Sequence, residues 1–475
     1  MDVNISLLTI EIATAVLAMA ILVIGVLVPK EQRYGLGYLL TFGLVAILFL
    51  SFGYYGINTR VFEGTYIIDD FSIFFKQLFL IAGILVSMAA TLYVKKIGSN
   101  YGEFFVMMAF ATLGMMVLAS SGDFITLYLG LELMTISFYI LTGYKRDDAK
   151  SVEAGVKYLI LGAMSSAILL YGMSLVYGIT GTTVIAEIAA KLSGGAMSSG
   201  LVLGLVFLVA GFGFKISAVP FQMWSPDVYE GAPTPVTAYL AVGSKAAAFA
   251  TLIRVFIIAF PGYTNQWIPL FAALAAITIV IGNLVAIPQT NIKRMLAYSS
   301  IAQAGYIMTG VVAANELGVK GVAFYAMLYV FATIGAFTVV MNFSANTGSD
   351  EIKDYGGLAQ RSPLLAAVLT VSLLSMAGIP PLAGFAGKFY LFSSIVKDHL
   401  WLVVLGLVMS MASVYYYLSV VKVMYMNDPV DDTPLIIPAG AKFTLLAAML
   451  ITIFLGIYPQ PLSVLANWAS RALFM

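Results

Sequence analysis

Five ionisable residues lie inside long apolar runs of the chain: Glu132, Lys157, Lys215, Lys245 and Lys388. A charged side chain at the centre of a bilayer costs roughly 2.5–3.5 kcal/mol on translocon-insertion scales, so a charge that is kept there indicates an ion pathway. A line of lysines with one carboxylate suits the movement of protons. It lacks the dense set of carboxylate and carbonyl oxygens that a dedicated sodium or calcium site needs.

Glu132 and Lys215 are the natural pair among these residues. An ionised carboxylate in an apolar run needs a cationic partner, or it takes up a proton. A carboxylate beside a lysine keeps that lysine protonated, and moving the carboxylate away lets the proton leave, which would make a usable switch. The alternative is a static ion pair that only fixes the packing of two helices.

Small residues surround Lys245, and they allow close helix approach while leaving room for the water that a proton relay needs. Lys157 is less central, and a pair with Glu153 at the start of a helix explains it equally well. A later apolar run carries polar residues that could either hold water between the charged sites or form a seam between helices: Tyr298, Ser299, Ser300, Gln303 and Tyr306.

Other charged residues lie nearer the ends of the apolar runs. Arg254 and Lys422 are within about one and a half turns of those ends, where long side chains snorkel to the interface. Lys293 and Arg294 begin a run on its basic side, so snorkelling and topology explain them. Three further charged residues are predicted to be interfacial: Glu11, Lys76 and Asp123.

The composition is that of a polytopic membrane protein. Of 475 residues, 61% are hydrophobic and 10% are charged, whereas soluble domains carry about 25% charged residues. There is no cysteine and His399 is the single histidine, which excludes disulfides, cysteine-ligated iron–sulfur clusters and haem held by two histidines. The net charge of +1 gives no indication of nucleic-acid binding. The electrons of any associated redox process are therefore expected to travel in other chains.

Runs of about 20 apolar residues predict transmembrane helices. Residues 1–475 are predicted to form a single all-α membrane domain, whose first run is retained rather than cleaved as a signal peptide. Fourteen such runs are present: 5–28, 36–56, 70–94, 103–120, 122–143, 152–178, 201–220, 233–259, 267–287, 294–313, 319–343, 363–396, 401–425 and 440–458.

Basic residues in the loops predict the orientation, because cytoplasmic loops are enriched in Lys and Arg. One alternate set of loops holds most of them: Lys30, Arg33, Lys95, Lys96, Lys145, Arg146, Lys150, Lys293, Arg294, Lys353, Arg361 and Lys442. The other set holds Arg60, Lys191, Lys320 and Lys397. The first set is therefore predicted to face the cytoplasm, and both termini to face the opposite side of the cell membrane.

Two of the predicted helices, the seventh and the twelfth, are interrupted by proline and glycine. Four prolines lie within residues 220–235, and the second interruption lies within residues 378–387. Interrupted helices at corresponding positions are typical of transporters with inverted repeats, although Pro and Gly are also simply frequent in membrane helices. The separation by five helices predicts two inverted five-helix repeats, residues 103–259 (helices four to eight) and residues 267–425 (helices nine to thirteen).

Three segments resemble the antiporter-like membrane subunits of respiratory complex I. Residues 219–236 resemble the signature of the subunit N family, which is long and specific. Residues 292–305 and 378–388 are similar to segments shared across the wider superfamily. The similarity covers essentially the whole chain, and the fold that it implies has fourteen transmembrane helices.

The resemblance also implies roles for the five residues. Glu132 matches the family's fifth-helix glutamate, and the family's lysines of the sixth, seventh, eighth and twelfth helices are matched by Lys157, Lys215, Lys245 and Lys388. At position 388 this chain has a lysine, whereas subunit M usually has a glutamate there. These residues would together form a proton relay.

A proton-translocating membrane subunit of a complex I-like quinone or methanophenazine oxidoreductase is the function that the resemblance implies. Redox chemistry in other subunits would drive it, with NADH, a reduced deazaflavin or ferredoxin as the donor. The chain itself would hold no cofactor and no metal, while flavin and iron–sulfur clusters are expected in partner subunits. The partners would be neighbouring antiporter-like and small helical subunits in the lipid bilayer, with no nucleic acid.

Two alternatives remain at this point, a subunit of a Mrp-type cation/proton antiporter and a purely structural membrane scaffold. The segment Asp227–Gly231 speaks against the antiporter, and the mid-span charges make a scaffold costly. One departure from the family concerns Gln222, which stands where a histidine is often found. Water, lysines and hydroxyl groups would then have to carry the proton without histidine.

Overall fold

The computed structural model describes residues 5–96, 101–193, 198–429, 431 and 433–474. Its backbone is almost entirely helical, which confirms an all-α polytopic membrane bundle. The α-helices in chain order are α1 (Thr9–Leu27), α2 (Leu36–Ser51), α3 (Asp70–Tyr93), α4 (Tyr101–Ala119), α5 (Phe124–Thr142), α6 (Ala149–Thr180), α7 (Ile185–Leu192), α8 (Ser199–Lys215), α9 (Trp224–Gly231), α10 (Thr234–Tyr239), α11 (Lys245–Arg254), α12 (Thr264–Ala286), α13 (Ile292–Val312), α14 (Glu316–Thr347), α15 (Leu358–Arg361), α16 (Pro363–Ala377), α17 (Ala383–Ile395), α18 (Leu400–Met426), α19 (Ala439–Ile457) and α20 (Gln460–Arg471).

Short turns and one hairpin complete the described backbone. The strands β1 (Thr59–Val61) and β2 (Tyr66–Ile68) pair antiparallel. Single 3₁₀ turns cover Ile5–Leu8, Lys30–Gly35, Phe52–Tyr54, Phe62–Gly64, Val94–Lys96, Pro261–Tyr263 and Ile352–Tyr355, and π turns cover Leu240–Ser244 and Val255–Ala259. The sequence did not predict the hairpin, α7 or α20, because these elements are too short to give an apolar run of membrane length.

Every predicted transmembrane run is occupied by helix. Within the described ranges, 11 helices are long and apolar enough to cross a membrane, and two shorter apolar helices, α8 and α16, belong to the interrupted runs. The exact count of fourteen crossings therefore stays a prediction. The division into inverted repeats over 103–259 and 267–425 and the orientation of the termini also stay predictions.

Helix α14 is the centre of the bundle. Its most apolar stretch is completely buried, as is typical of a helix that is hydrophobic on all sides. It packs against α3, α10, α13, α16, α17, α19 and α20. Both halves of the second interrupted helix therefore lie against this central helix.

The first interruption follows Lys215, the last residue of α8. Ser217 has a positive φ of 60°, and regular helix resumes only at Trp224. The indole N–H of Trp224 donates a hydrogen bond of 3.0 Å to the carbonyl of Phe214, one of the helix-end carbonyls that lack a helical partner. The break leaves Lys215 at the carboxyl end of a helix, where the backbone dipole favours a cation.

The second interruption separates α16 from α17 and depends on glycine. Gly378 has a φ of +87° and ends α16 in the left-handed conformation, which glycine adopts without steric cost. A Cβ on Gly384 would lie 1.8 Å from the carbonyl oxygen of Ser375, and one on Gly456 would lie 2.1 Å from that of Pro381. The backbone of the break is thus packed directly against its neighbours.

Two π turns interrupt the eighth predicted helix after α10 and after α11. The helix α11 begins at Lys245 and ends at Arg254, and a π turn flanks it on each side. Such π turns occur often at functional sites. The two charged residues at its ends are both buried, with 3% and 1% of their surface exposed.

Candidate functional site

Lys215 and Glu132 are near one another but do not form the direct ion pair that the sequence predicts. The Lys215 ammonium donates a hydrogen bond of 3.0 Å to the hydroxyl of Ser166 on α6. Oε1 of Glu132 is buried without a hydrogen-bond partner among the described residues, although its charge still acts on Lys215 through space. A hydroxyl group from a third helix, α6, is the hydrogen-bond acceptor of this lysine, which spacing along the chain could not indicate.

Aromatic side chains connect this region with the central lysine. The rings of Tyr139 and Tyr158 lie 4.9 Å apart, and Tyr158 stacks on Trp224 at 4.7 Å. Tyr229 follows on the same helix as Trp224, and its ring centroid lies 5.7 Å from the Lys245 ammonium. The contact between Lys245 and Tyr229 is a cation–π interaction, and such interactions are stronger when water is excluded.

Lys245 is held by helix α13. Its ammonium donates to the Ser300 carbonyl at 2.9 Å and also to the Ser300 hydroxyl. Among the residues that the structure describes, none of the ion pairs includes Lys245. Its ammonium is therefore bound by neutral oxygens alone. These oxygens accept hydrogen bonds from the ammonium but do not hold its positive charge as a carboxylate counter-ion would.

Polar residues of α13 continue from Ser300 towards the second interruption. The amide of Gln303 donates to the Met376 carbonyl at 2.9 Å, and its oxygen accepts a hydrogen bond of 2.5 Å from Tyr325. The hydroxyls of Ser299 and Tyr417 lie 2.5 Å apart. The sequence offers two interpretations of these residues, a polar seam between helices and a path that holds water between charged sites. The contacts form the seam, and the seam lies between Lys245 and Lys388.

Lys388 meets the same seam at the break between α16 and α17. Its ammonium donates to the carbonyls of Met376 and Ala377, both at 3.0 Å, and to the Ser410 hydroxyl at 2.7 Å. It also lies 4.4 Å from the ring centroid of Tyr306. Because the Met376 carbonyl accepts from both Gln303 and Lys388, one backbone oxygen joins α13 to the twelfth-helix lysine.

An apolar groove of about 650 Å³ opens beside Lys388, between α17 and α18. Its walls include Phe385, Phe389, Leu407 and Met411, which are also exposed on the outer surface of the chain. Lys388 itself is only 5% exposed. The lysine therefore sits at the inner end of a surface that a bilayer or a membrane subunit would cover.

Lys157 lies apart from the buried lysines, with 41% of its side chain exposed. It forms ion pairs of 2.6 Å with Glu153 and 2.9 Å with Asp227. The helix-start pair that the sequence offers for Lys157 is thus present. Alternating charges continue from it across α6, α9 and α13, in what we name the ion-pair chain: Glu153, Lys157, Asp227, Arg294, Glu230 and Lys150.

Snorkelling is the wrong explanation for Arg254. Its guanidinium binds Asp69 through two hydrogen bonds of 2.9 Å each and donates to the Ala119 carbonyl at 3.1 Å. Burial tends to raise the pKa of Asp69, but Arg254 and Ser72 more than offset it and hold that pKa below its usual range. The sequence signal was present, because Asp69 and Ser72 form a capping box at the start of α3.

Snorkelling is also the wrong explanation for Lys293. This residue is 5% exposed and donates to the carbonyls of Glu230 and Ala232 at 2.6 and 2.9 Å. Glu11 and Lys76 form a buried ion pair of 2.6 Å, with 9% and 1% of their side chains exposed, and their interfacial position stays a prediction. In both cases the cation finds its partner on a segment distant in sequence.

The described residues include no group of three or more His, Cys, Asp or Glu side chains that could hold a metal ion. Gln222, the position where a histidine is often found, is half-buried, and its side-chain oxygen has no hydrogen-bond partner in the described part of the chain. The arrangement is thus one of lysines, hydroxyls, amides and backbone carbonyls. Such groups can pass protons but carry no electrons.

Comparison with known proteins identifies the family of this chain. Residues 121–414 match a family described as NADH:quinone oxidoreductase/Mrp antiporter, TM. NADH-quinone oxidoreductase subunit N of Desulforamulus reducens is 56% identical over the full length of both chains. Subunit N of Moorella thermoacetica is also 56% identical, covering 99% of each chain.

Solved structures show the same fold. A chain of respiratory complex I from Thermus thermophilus with bound aureothin has a TM-score of 0.82 at 33% identity, covering 96% of this chain and 99% of that one. A chain of the Mrp complex from Dietzia sp. DQ12-45-1b has a TM-score of 0.83 at 20% identity, covering 99% and 96%. The second likeness concerns the fold alone. The chain therefore belongs to the NADH-quinone oxidoreductase subunit N family of antiporter-like membrane proteins.

Proposed function

We propose that this chain is a proton-translocating membrane subunit of a complex I-like oxidoreductase that reduces a quinone or methanophenazine. The observation that carries the proposal is the row of polar groups along α13 between Lys245 and Lys388: Ser300 binds Lys245, and Gln303, three residues further on the same helix, shares the Met376 carbonyl with Lys388. The full-length likeness to proteins named subunit N supports the assignment to such a complex. Redox chemistry in other subunits drives the movement, and no redox centre lies in this chain.

Protons enter from the cytoplasmic side toward Lys215, pass the central Lys245, reach Lys388 and leave on the opposite side. Lys245 and Lys388 can each give up a proton because neutral oxygens, rather than a carboxylate, bind their ammonium groups. A charge on one lysine raises the energy of a charge on the next through the low-dielectric interior. Protons therefore move along the line one at a time.

Glu132 acts as the electrostatic switch at the start of this line. Its carboxylate influences Lys215 through space, while Ser166 holds the ammonium. A charge rearrangement in neighbouring subunits changes the protonation of Glu132 and so the affinity of Lys215 for its proton. Lys157 contributes at the edge of the path through the ion-pair chain and not as a buried relay group.

The assembled enzyme places this chain in the cell membrane beside other antiporter-like and small helical subunits, with both termini on the non-cytoplasmic side. Flavin and iron–sulfur clusters belong to partner subunits, since this chain has no cysteine and one histidine. The apolar face beside Lys388 suits contact with such a neighbour or with lipid.

A subunit of a Mrp-type antiporter is the second candidate, supported by the shared family description and by the fold of the Dietzia chain. The two differ in whether proton movement needs electron transfer. Inhibitors of the redox arm abolish proton movement through a complex I-like enzyme and leave an antiporter active. The discriminating measurement is proton uptake into vesicles with and without an electron donor.

Replacing Lys245 by alanine in the assembled complex tests the proposal. We expect proton pumping to be abolished and coupled turnover to slow, because the seam loses its central proton carrier. The control is Lys422→Ala, which removes an exposed lysine of α18 and should leave pumping unchanged. An unaltered ratio of protons to electrons in the Lys245 variant contradicts the relay.

A further inference from the structure

Two polar cavities adjoin the ion-pair chain, with volumes of about 300 and 200 Å³. The larger lies between the start of α6, the end of α9 and the end of α14, and the smaller lies beside Lys157. Lys150, Glu230 and Gly231 line both cavities. The side chain of Glu230 therefore stands in the wall between them, within the loops that are predicted to face the cytoplasm.

The carboxylate of Glu230 is bound by two cations that water can reach. One oxygen lies 3.3 Å from Lys150, whose side chain is 73% exposed, and the other lies 3.2 Å from Arg294, whose side chain is 32% exposed. Exposed pairs of this kind contribute little, typically below about 1 kcal/mol. Lys150 can therefore swing away and open the carboxylate to solvent at small cost, while Arg294 keeps it in place.

The short helix α9 carries this carboxylate on one side and buried hydroxyl groups on the other. Ser225 and Tyr229 are completely buried, and neither hydroxyl makes a hydrogen bond of ordinary length within the described chain. The Tyr229 ring lies 5.7 Å from the Lys245 ammonium. Glu230 and Tyr229 are consecutive residues, so one short helix separates the cavities from the central lysine.

We propose that Glu230 is a proton-collecting residue that supplies Lys245 directly, without passage through Lys215. A proton from the cavity water forms an O–H bond on the Glu230 carboxylate. No hydrogen bond joins Glu230 to the Tyr229 hydroxyl, so the O–H bond on Glu230 breaks as the proton moves across α9 through water from the cavities to the Tyr229 hydroxyl, which accepts it and releases its own. The released proton forms an N–H bond on the neutral amine of Lys245. The inference rests on the proposed function, because it assumes that Lys245 carries protons.

This arrangement gives a physical reason for the acidic residues in the signature segment of the subunit N family, residues 219–236. Asp227 and Glu230 are three residues apart on α9 and so lie on one face of the helix. Arg294 from the second predicted repeat binds both, at 2.8 and 3.2 Å. The acidic face holds the two predicted repeats together at the cytoplasmic mouth, and Glu230 is the member that faces both cavities.

The test compares Glu230→Gln with Lys150→Met in the assembled complex, reconstituted into vesicles. Both variants break the Lys150–Glu230 ion pair, but only the first removes the carboxylate, and with it the charge that Arg294 binds. We expect Glu230→Gln to slow pumping by at least about tenfold, since a positioned acid–base group contributes about 10²–10⁴ to a proton transfer. Lys150→Met should pump within about twofold of the unmodified complex. An equal loss of proton pumping in both variants would overturn the proposal, because it would show that the ion pair between Lys150 and Glu230 has only a structural role.

Chemical rescue supplies the second arm. A small weak acid such as formate can replace a missing carboxylate as a mobile proton carrier, so added formate should restore pumping in Glu230→Gln. It should not restore pumping in Lys245→Ala. Loss in Glu230→Gln without rescue contradicts proton collection by this residue. Normal pumping in Glu230→Gln alone refutes only this inference, whereas normal pumping in Lys245→Ala refutes the proposed function itself.

Discussion

Replacing Gln303 by leucine should interrupt proton transfer between Lys245 and Lys388. Gln303 is 1% exposed and makes three hydrogen bonds: it donates to the Met376 carbonyl at 2.9 Å and to the Tyr417 hydroxyl at 3.4 Å, and it accepts from Tyr325 at 2.5 Å. Leucine has a similar volume, so the packing is kept while all three bonds are lost. The Met376 carbonyl still accepts from Lys388, but the buried Tyr325 hydroxyl loses its acceptor.

The expected slowing of proton transfer follows from the buried hydrogen-bonding groups that the substitution leaves without a partner. A buried donor or acceptor without a partner costs about 1–3 kcal/mol, and about 1.4 kcal/mol corresponds to a tenfold change in rate. If the seam carries the proton, its transfer should slow by about fivefold to about 150-fold. The ratio of protons pumped to electrons transferred, measured in reconstituted vesicles, should fall accordingly.

The matched control is Thr309→Val on the same helix. Thr309 is completely buried, and its hydroxyl bonds to the Tyr306 carbonyl of its own helix, at 2.7 Å, and to no other group in the described ranges. This variant removes one buried hydrogen bond outside the seam and should pump normally. The reasoning is refuted if Gln303→Leu assembles and keeps the full ratio of protons to electrons, since the seam would then not be the route.

Two further predictions concern stability. Asp69→Asn should lower the thermal midpoint of the assembled complex, because breaking a buried ion pair costs about 3–5 kcal/mol; Arg254→Lys should also destabilise it, because lysine lacks the two-pronged geometry. An unchanged midpoint in both would show that the pair adds no stability. Gly384→Ala should reduce assembly sharply, because its Cβ would lie 1.8 Å from the Ser375 carbonyl oxygen. Gly178→Ala is the control, with no atom within 4 Å of the added Cβ, and equal assembly of the two variants would refute the steric argument.

The sequence was most reliable where local chemistry decides the structure. Apolar length located the helices because a bilayer demands it, and proline and glycine located both breaks because they cannot continue a regular helical ladder. The capping box of Asp69 and Ser72 was also readable in the sequence. The sequence did not show that Asp69 also binds Arg254, because 185 residues separate these two residues.

Partners of buried charges were the least predictable feature. The sequence predicts that Glu132 faces Lys215, yet Ser166 holds that ammonium. It treats Lys293 as a snorkelling side chain, yet the residue is buried against two carbonyls of another segment. Which polar group reaches a charge depends on helix rotation and depth, and packing sets both.

The amino-acid sequence by itself determined that this is a polytopic helical membrane protein with two interrupted helices, five candidate charges and the signature of the subunit N family. Those features follow from composition and local backbone chemistry. Only the tertiary structure decided that the Met376 carbonyl joins Gln303 to Lys388, and that Glu230 lines two polar cavities. The physical reason is that hydrogen bonds and ion pairs act over a few ångströms in space, while their members lie tens to hundreds of residues apart along the chain.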